Sequence, residues 1–205
     1  MRVMISKLLM ATHNQGKATE LRDLLANLPL QILTLADFPE ASVIEETGST
    51  FLENALQKAK AAAEFSGLPI LADDSGLEVD ALQGQPGVYS ARFAGEPGND
   101  QQNNLKLLQL MQGSSPAQRM ARFVSVIVLV LPQGQVYTTE GRCEGIILDC
   151  FRGTSGFGYD PLFYLPELGK TMAELTLEEK NMVSHRAKAL MAMVPRLQKL
   201  CAMTK

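Results

Sequence analysis

Apolar and polar positions along this chain follow two periods in turn, and that succession predicts an α/β protein. Apolar runs of about four to eight residues bounded by Gly or Pro read as buried strands, and apolar positions three or four apart read as helices. Residues 7–11 (KLLMA) form the first apolar run, and 30–35 and 68–72 form two more. Leu21, Leu24, Leu25 and Leu28 share one face of a helix predicted over about 17–28. Phe51, Ala55, Ala59, Ala62 and Ala63 give the packing face of a second helix over about 50–66, with Lys58 and Lys60 projecting elsewhere. That helix opens on the capping box Thr50-x-x-Glu53 and stops at Gly67 and Pro69. Leu105, Leu108 and Met111 mark a helix over 99–112, followed by a long strand at 120–131. Pro132-Gln133-Gly134 turns the chain back into a strand at 136–143, and 145–151 reads as one more short strand. Strands joined by so tight a turn are antiparallel, so the sheet is mixed. A second capping box, Thr176-x-x-Glu179, precedes a C-terminal helix that opens at Ser184 and turns Leu190, Met193, Val194 and Leu197 inward. Pro195 lies inside it and is expected to kink or shorten it.

Composition narrows the function classes. The chain has 205 residues, enough for one large domain or two small lobes around a proper core. A formal charge of −3 argues against a grip on a nucleic-acid polymer, but a free nucleotide needs only a few cations. Cys143, Cys150 and Cys201 form no metal-binding spacing, and their odd number suggests reduced thiols in a cytoplasm. The start of the chain is too short in apolar residues for a signal peptide, and the longest apolar run, 124–131, is far too short to span a membrane.

The candidate chemistry centres on residues 67–95, where an apolar strand runs into Asp73-Asp74-Ser75-Gly76. Carboxylates at the end of a strand, ahead of a Gly turn, lie where open α/β sheets place their ligands. Two adjacent carboxylates need a partner, because each raises the other's pKa. Mg²⁺ shared with a substrate phosphate would supply one; an Asx-type turn capping backbone amides is the other reading. Thr12, His13, Asn14, Gln15, Gly16 and Lys17 follow the first strand and enter a helix. Lysine is unfavourable at that end of a helix unless an anion is present, so the segment reads as a phosphate cradle, or else as an exposed lysine behind an Asn cap. It is not a Walker A loop, which needs Gly in place of Ala11 and Ser or Thr in place of Ala18. Glu46 is either a second metal carboxylate or a solvated loop charge. Phe157, among Gly153, Gly156 and Gly158, is either a platform for a base or a ring folded onto the core. Lys180, His185 and Arg186 together read as a cluster facing an anionic or carbonyl-rich ligand.

Taken in order, Thr12-x-Asn14-x-x-Lys17, Glu46-Thr47-Gly48, Glu53-Asn54-Ala55, Asp73-Asp74-Ser75-Gly76-Leu77, Pro86-Gly87-x-Tyr89-Ser90-Ala91-Arg92, Phe157-Gly158-Tyr159-Asp160-Pro161 and Ser184-His185-Arg186 resemble one family, the inosine-triphosphate pyrophosphatases. The resemblance covers about residues 7–197, and its specificity lies in the order of the seven motifs. It implies an elongated, two-lobed α/β fold over the whole of 1–205, with a central mixed β-sheet flanked by helices and a substrate cleft between the lobes. It also implies a cytoplasmic homodimer that uses Mg²⁺ to convert ITP, dITP or XTP to the monophosphate and pyrophosphate. Carried across by position, Asp74 is the general base and Glu46 and Asp74 hold the metal. Residues 12–17 and Lys58 meet the triphosphate, and Ser75 meets the substrate. Phe157, Gly158, Tyr159, Asp160, Lys180, His185 and Arg186 surround the base. Two alternatives are a pyrophosphatase for other nucleoside triphosphates and a non-catalytic nucleotide-binding module; the second has no need of three carboxylates. No nucleic-acid polymer or membrane partner is expected.

Overall fold

A computed structural model describes residues 4–39, 41, 44, 46–95 and 99–201. Its seven strands form one sheet in the order β2-β1-β3-β4-β5-β6-β7. They are β1 (Lys7–Met10), β2 (Gln31–Thr34), β3 (Ile70–Val79), β4 (Met120–Val130), β5 (Val136–Ile147), β6 (Phe163–Leu165) and β7 (Lys170–Thr171). The helices are α1 (Gln15–Leu24), α2 (Phe51–Ser66), α3 (Asp100–Leu110), α4 (Leu177–Val183) and α5 (His185–Cys201). β1 lies parallel to both β2 and β3. Parallel neighbours need a crossover, which α1 and α2 supply. β6 runs antiparallel to β5 and to β7, so the sheet is mixed, as the sequence predicts.

The chain divides into two compact units, and β3, β4 and β5 contribute residues to each. The first comprises residues 1–74, 125–141 and 186–205. Its core joins Leu8 and Met10 of β1, Leu21 of α1, Leu71 of β3, Ile127 and Leu129 of β4, and Leu190, Met193 and Leu197 of α5. β1 is buried on both faces, which is why it reads as an unbroken apolar run. The second unit comprises residues 75–124 and 142–185. Its core joins Leu77 and Val79 of β3, Leu107 of α3 and Met111 just after it, Phe123 of β4, Cys143 and Ile147 of β5, and Leu162 and Phe163.

Several elements depart from the pattern. Residues 73–76 form no Gly turn, because β3 continues unbroken to Val79. The short strand expected at 145–151 does not exist separately: β5 extends to Ile147, and Gly145 is there because a Cβ would lie 2.6 Å from the Phe163 ring and the Tyr164 carbonyl. β6 and β7, with three and two residues, are too short to show a period. α1 begins two residues earlier than predicted and ends at Leu24. In α3 the inward side carries Asn103, Asn104 and Leu107, whereas Leu105 is exposed. α5 runs through Pro195 to Cys201. Pro195 and Met191, whose carbonyl lacks its helical donor, are both exposed residues. Both capping boxes form as read, and Gly67 closes α2 in the left-handed conformation.

Candidate active site

The alternation of side chains along an unbroken strand sends Asp73 and Asp74 to opposite faces of β3, where they form direct ion pairs with different cations. The conflict expected between adjacent carboxylates is thereby avoided without a turn. Asp74 Oδ1 lies 2.7 Å from Lys58 Nζ, and Asp74 Oδ2 accepts from Asn54 Nδ2 at 3.3 Å. Lys58 Nζ is also 3.1 Å from Glu46 Oε1, so both carboxylates converge on one point. α2 makes this possible. Lys58 does not project away as the helix pattern predicts but lies buried, one turn after the buried Asn54. Asn54 Oδ1 in turn accepts from the Gly48 amide at 2.7 Å. A Cβ at Gly48 would approach that oxygen to 2.6 Å, so glycine is what lets the segment bearing Glu46 lie against α2.

On the other face, Asp73 Oδ2 lies 2.8 Å from Lys17 Nζ and 3.4 Å from Arg186 Nε, and Ser125 Oγ donates to Asp73 Oδ1 at 2.5 Å. Arg186, fully buried, also pairs through Nη1 with Glu20 Oε2. Burial opposes the charge on Asp73, but Lys17 and Arg186 overcome it and hold the carboxyl well below its ordinary range. For Asp74 the balance is reversed. Burial and the neighbouring Glu46 push its pKa up against the pull of Lys58 and Lys17. Lys58 is disfavoured by burial yet raised by Asp74 and Glu46.

The entrance to α1 has the form of an anion site. Asn14 caps the helix, its side chain accepting from the Lys17 amide at 3.0 Å, and Thr12 Oγ1 accepts from the Asn14 amide at 3.1 Å. The amides of Gln15 and Gly16 begin the helix and take no acceptor among the described residues. His13, Asn14 and Gln15 are exposed. Amides at the positive end of a helix favour phosphate.

The second unit holds a different cluster. Buried Asp160 accepts through Oδ2 from Lys180 Nζ at 2.6 Å and from the Phe157 amide at 3.0 Å. Lys180 Nζ stands 4.8 Å from the centroid of the half-buried Phe157 ring. Gly156 precedes the ring at φ 78°, and a Cβ there would meet Asp160 Oδ2 at 2.1 Å. Tyr159 turns inward. Its hydroxyl donates to the Ser90 carbonyl at 2.8 Å, and burial, with Asp100 nearby, pushes its pKa up. His185 is buried and stacks on Phe123 at 4.8 Å. Ser75 is half-buried beside Asp74 in β3.

Lys180, His185 and Arg186 each have a partner of their own. Lys180 answers to Asp160, His185 to Phe123, and Arg186 to Asp73 and Glu20. Sequence reasoning passed over Glu20 and Ser125 and gave Asn54 no role. For Asn54 a signal existed: a buried amide on an alanine-lined helix face has a polar task to perform. The profile of the Ham1 family matches residues 8–196, a span that contains every residue of both clusters.

The chain belongs to the Ham1 family. It is 56% identical over 184 residues to the dITP/XTP pyrophosphatase of Desulforamulus reducens, covering 90% of this chain and 92% of that one. It is 54% identical over 186 residues to the dITP/XTP pyrophosphatase of Geobacter sulfurreducens, covering 91% and 94%. Among solved structures, a HAM1 protein from Coxiella burnetii superposes with a TM-score of 0.85 at 40% identity, covering 96% of this chain and all of that one. The mixed sheet with flanking helices is thus the Ham1 fold, and the carboxylate–lysine cluster and the Phe157 loop are parts of a Ham1 chain.

Proposed function

We propose that this protein is a Mg²⁺-dependent pyrophosphatase that hydrolyses the non-standard purine nucleoside triphosphates ITP, dITP and XTP to the monophosphate and pyrophosphate. The observation that carries the reading is the convergence of Glu46 and Asp74 on one cation position, with Lys17 against the neighbouring aspartate. The names of the curated relatives point to the same activity.

The donors suit magnesium. Glu46 and Asp74 supply hard oxygens, and the cluster sets Glu20, Glu46, Asp73 and Asp74 against Lys17, Lys58 and Arg186, an excess of one negative charge when all are ionised. No group of three or more Asp, Glu, His or Cys converges among the described residues, so the rest of the shell would be phosphate oxygens and water, which Mg²⁺ prefers. Bound there, the cation would neutralise charge on the phosphates and orient pyrophosphate to leave.

The residues of the chain divide the remaining work. Asp74, its pKa raised, takes a proton from the water that attacks the α-phosphorus. The new P–O bond forms as the α–β anhydride bond breaks, and the electron pair leaves with pyrophosphate. Lys17, Lys58 and residues 12–16 hold the triphosphate, and Ser75 contacts the substrate. The base stacks on Phe157 in the loop with Gly158, Tyr159 and Asp160, Lys180 and His185 complete the base-reading set, and Arg186 holds Asp73 in place. A donor aimed at the 6-oxo oxygen rejects adenine, because a site built to bond a polar group discriminates strongly against its absence. A cytoplasmic location and a homodimeric state belong to this reading. Cys150 and Cys201 are free thiols, which suits a reducing compartment, and no described helix is long and apolar enough to cross a membrane.

The test is a panel of nucleoside triphosphates with and without Mg²⁺, with pyrophosphate and monophosphate measured as products. Pyrophosphate from ITP, dITP and XTP, little from ATP, and none without Mg²⁺ is expected. Orthophosphate as the primary product, or equal turnover of ATP, refutes the reading; light scattering checks the dimer.

A further inference from the structure

The Phe157 loop is held from behind by two side chains of α3. At the start of α3, Asp100 Oδ2 accepts from the Gly158 amide at 2.6 Å, and one turn later Asn104 Nδ2 donates to the Gly158 carbonyl at 2.7 Å. Both polar groups of one glycine are thus gripped by a rigid helix. Asn104 is almost fully buried, and its Oδ1 takes no hydrogen bond among the described residues. Rotating the amide would set that oxygen against the carbonyls of Gly158 and Asp100, both of which Nδ2 now serves. A buried acceptor left unpaired is costly, so its orientation calls for a reason. The Gly158 carbonyl is that reason.

The adjacent Asn103 performs the same service for another segment. Its Oδ1 accepts from the Ala94 amide at 2.7 Å, and its Nδ2 donates to the Ala91 carbonyl at 3.2 Å. Consecutive asparagines inside a helix are poor helix formers, so here helix propensity is sacrificed to backbone contacts. The loop has need of them. Phe157 stands between Gly156 at φ 78° and Gly158 at φ 61°, two residues with wide backbone freedom. A Cβ at Gly158 would meet nothing within 4 Å, so the glycine is required by its conformation and not by crowding. With Asp160 holding the Phe157 amide and Asp100 the Gly158 amide, two carboxylates fix successive peptides beneath the ring.

We infer that Asp100 and Asn104 are positioning residues for base selection, fixing the Phe157 ring through Gly158 while taking no part in the phosphate chemistry. This rests on Phe157 serving as the platform for the base. Because the chain contains no tryptophan, Phe157→Trp places a single reporter in the loop. In the nucleotide-free protein, adding Asp100→Ala or Asn104→Ala should raise acrylamide quenching of that tryptophan about twofold or more and lower its anisotropy, as a loop freed from its scaffold would. Asp100→Asn, which can still accept through its amide oxygen, should restore most of the order and serves where the alanine variant fails to fold. In the parent chain, Asn104→Ala should raise the KM for XTP about tenfold, toward the lower end of what a stacked base contributes. Its kcat should stay within about threefold, since the reacting groups are untouched. Unchanged quenching overturns the inference, as does a loss confined to kcat, or unchanged KM where Phe157→Ala raises it. If Phe157→Ala itself leaves KM and base preference intact, the stacking role falls, while the quenching result still decides whether the clamp exists.

Discussion

Replacing each of the two adjacent aspartates by asparagine should separate stability from catalysis. The folded-state pKa of Asp73 lies well below its ordinary value near 3.8, so its charge stabilises the fold above that pH, and the contribution is lost as pH falls through the folded pKa. Asp73→Asn at neutral pH removes the charge that Lys17 and Arg186 face. Removing one partner of a buried pair costs about 3–5 kcal/mol. For a chain of this size that corresponds to a melting temperature lower by roughly 6–20 °C. Asp74 has the opposite sign. Its pKa is raised above 3.8, so the contribution of its carboxyl is present at low pH and is lost as pH rises through the folded pKa. Asp74→Asn imitates the protonated form but leaves Lys58 with Glu46 alone, so at pH 7 without Mg²⁺ it should melt less far below the parent than Asp73→Asn, while pyrophosphate release falls by about 10²-fold or more through loss of the base. Differential scanning calorimetry beside a pyrophosphate-coupled assay reads both. If Asp74→Asn keeps more than about a tenth of wild-type turnover, the general-base assignment is wrong. If Asp74→Asn is the variant that melts low and Asp73→Asn is neutral, the electrostatic account of both faces is wrong.

Three further outcomes follow from the same geometry. Gly48→Ala sets a Cβ 2.6 Å from Asn54 Oδ1 and should displace the segment carrying Glu46, raising the Mg²⁺ concentration needed for half activity by about tenfold, as loss of a ligand-supporting contact does; an unchanged Mg²⁺ titration would show that Asn54 does not set that segment. Phe157→Ala should lower kcat/KM for XTP by about 5- to 150-fold, the range of one stacked base, with the thermal midpoint little changed. Gly156→Ala combines a strained positive φ with a 2.1 Å approach to Asp160 Oδ2 and should weaken substrate binding through the same loop, measured as a higher KM for XTP at unchanged kcat.

Much of the fold can be read from period alone. β1, α2 and the β4–β5 hairpin stand out because buried strands, alanine-rich helix faces and Pro/Gly turns leave strong local signals. The continuity of β3 through Asp73-Asp74-Ser75-Gly76 does not, because polar residues and a glycine look like a turn until long-range partners are known. Those partners lie far along the chain: Arg186 reaches Asp73 across 113 residues and Glu20 across 166. Only the resemblance points to Lys58 as a residue of the proposed site. Its burial depends on Glu46 and Asp74 gathering at one point, which no helix period reveals. Asn104 was hidden for the same reason, since its partner Gly158 is 54 residues away.

A strand that keeps its pleat through two successive acids also limits how the chain can change by insertion or deletion. Losing one residue between the end of α2 and position 73 would rotate every later side chain of β3 to the opposite surface. Asp74, the proposed proton acceptor, would then take the position of the structural anchor Asp73, and Ser75 that of Asp74, although none of them had been mutated. Loops elsewhere can lengthen or shorten with little penalty, but the spacing ahead of this pair is as much a part of the catalytic apparatus as the carboxyls themselves.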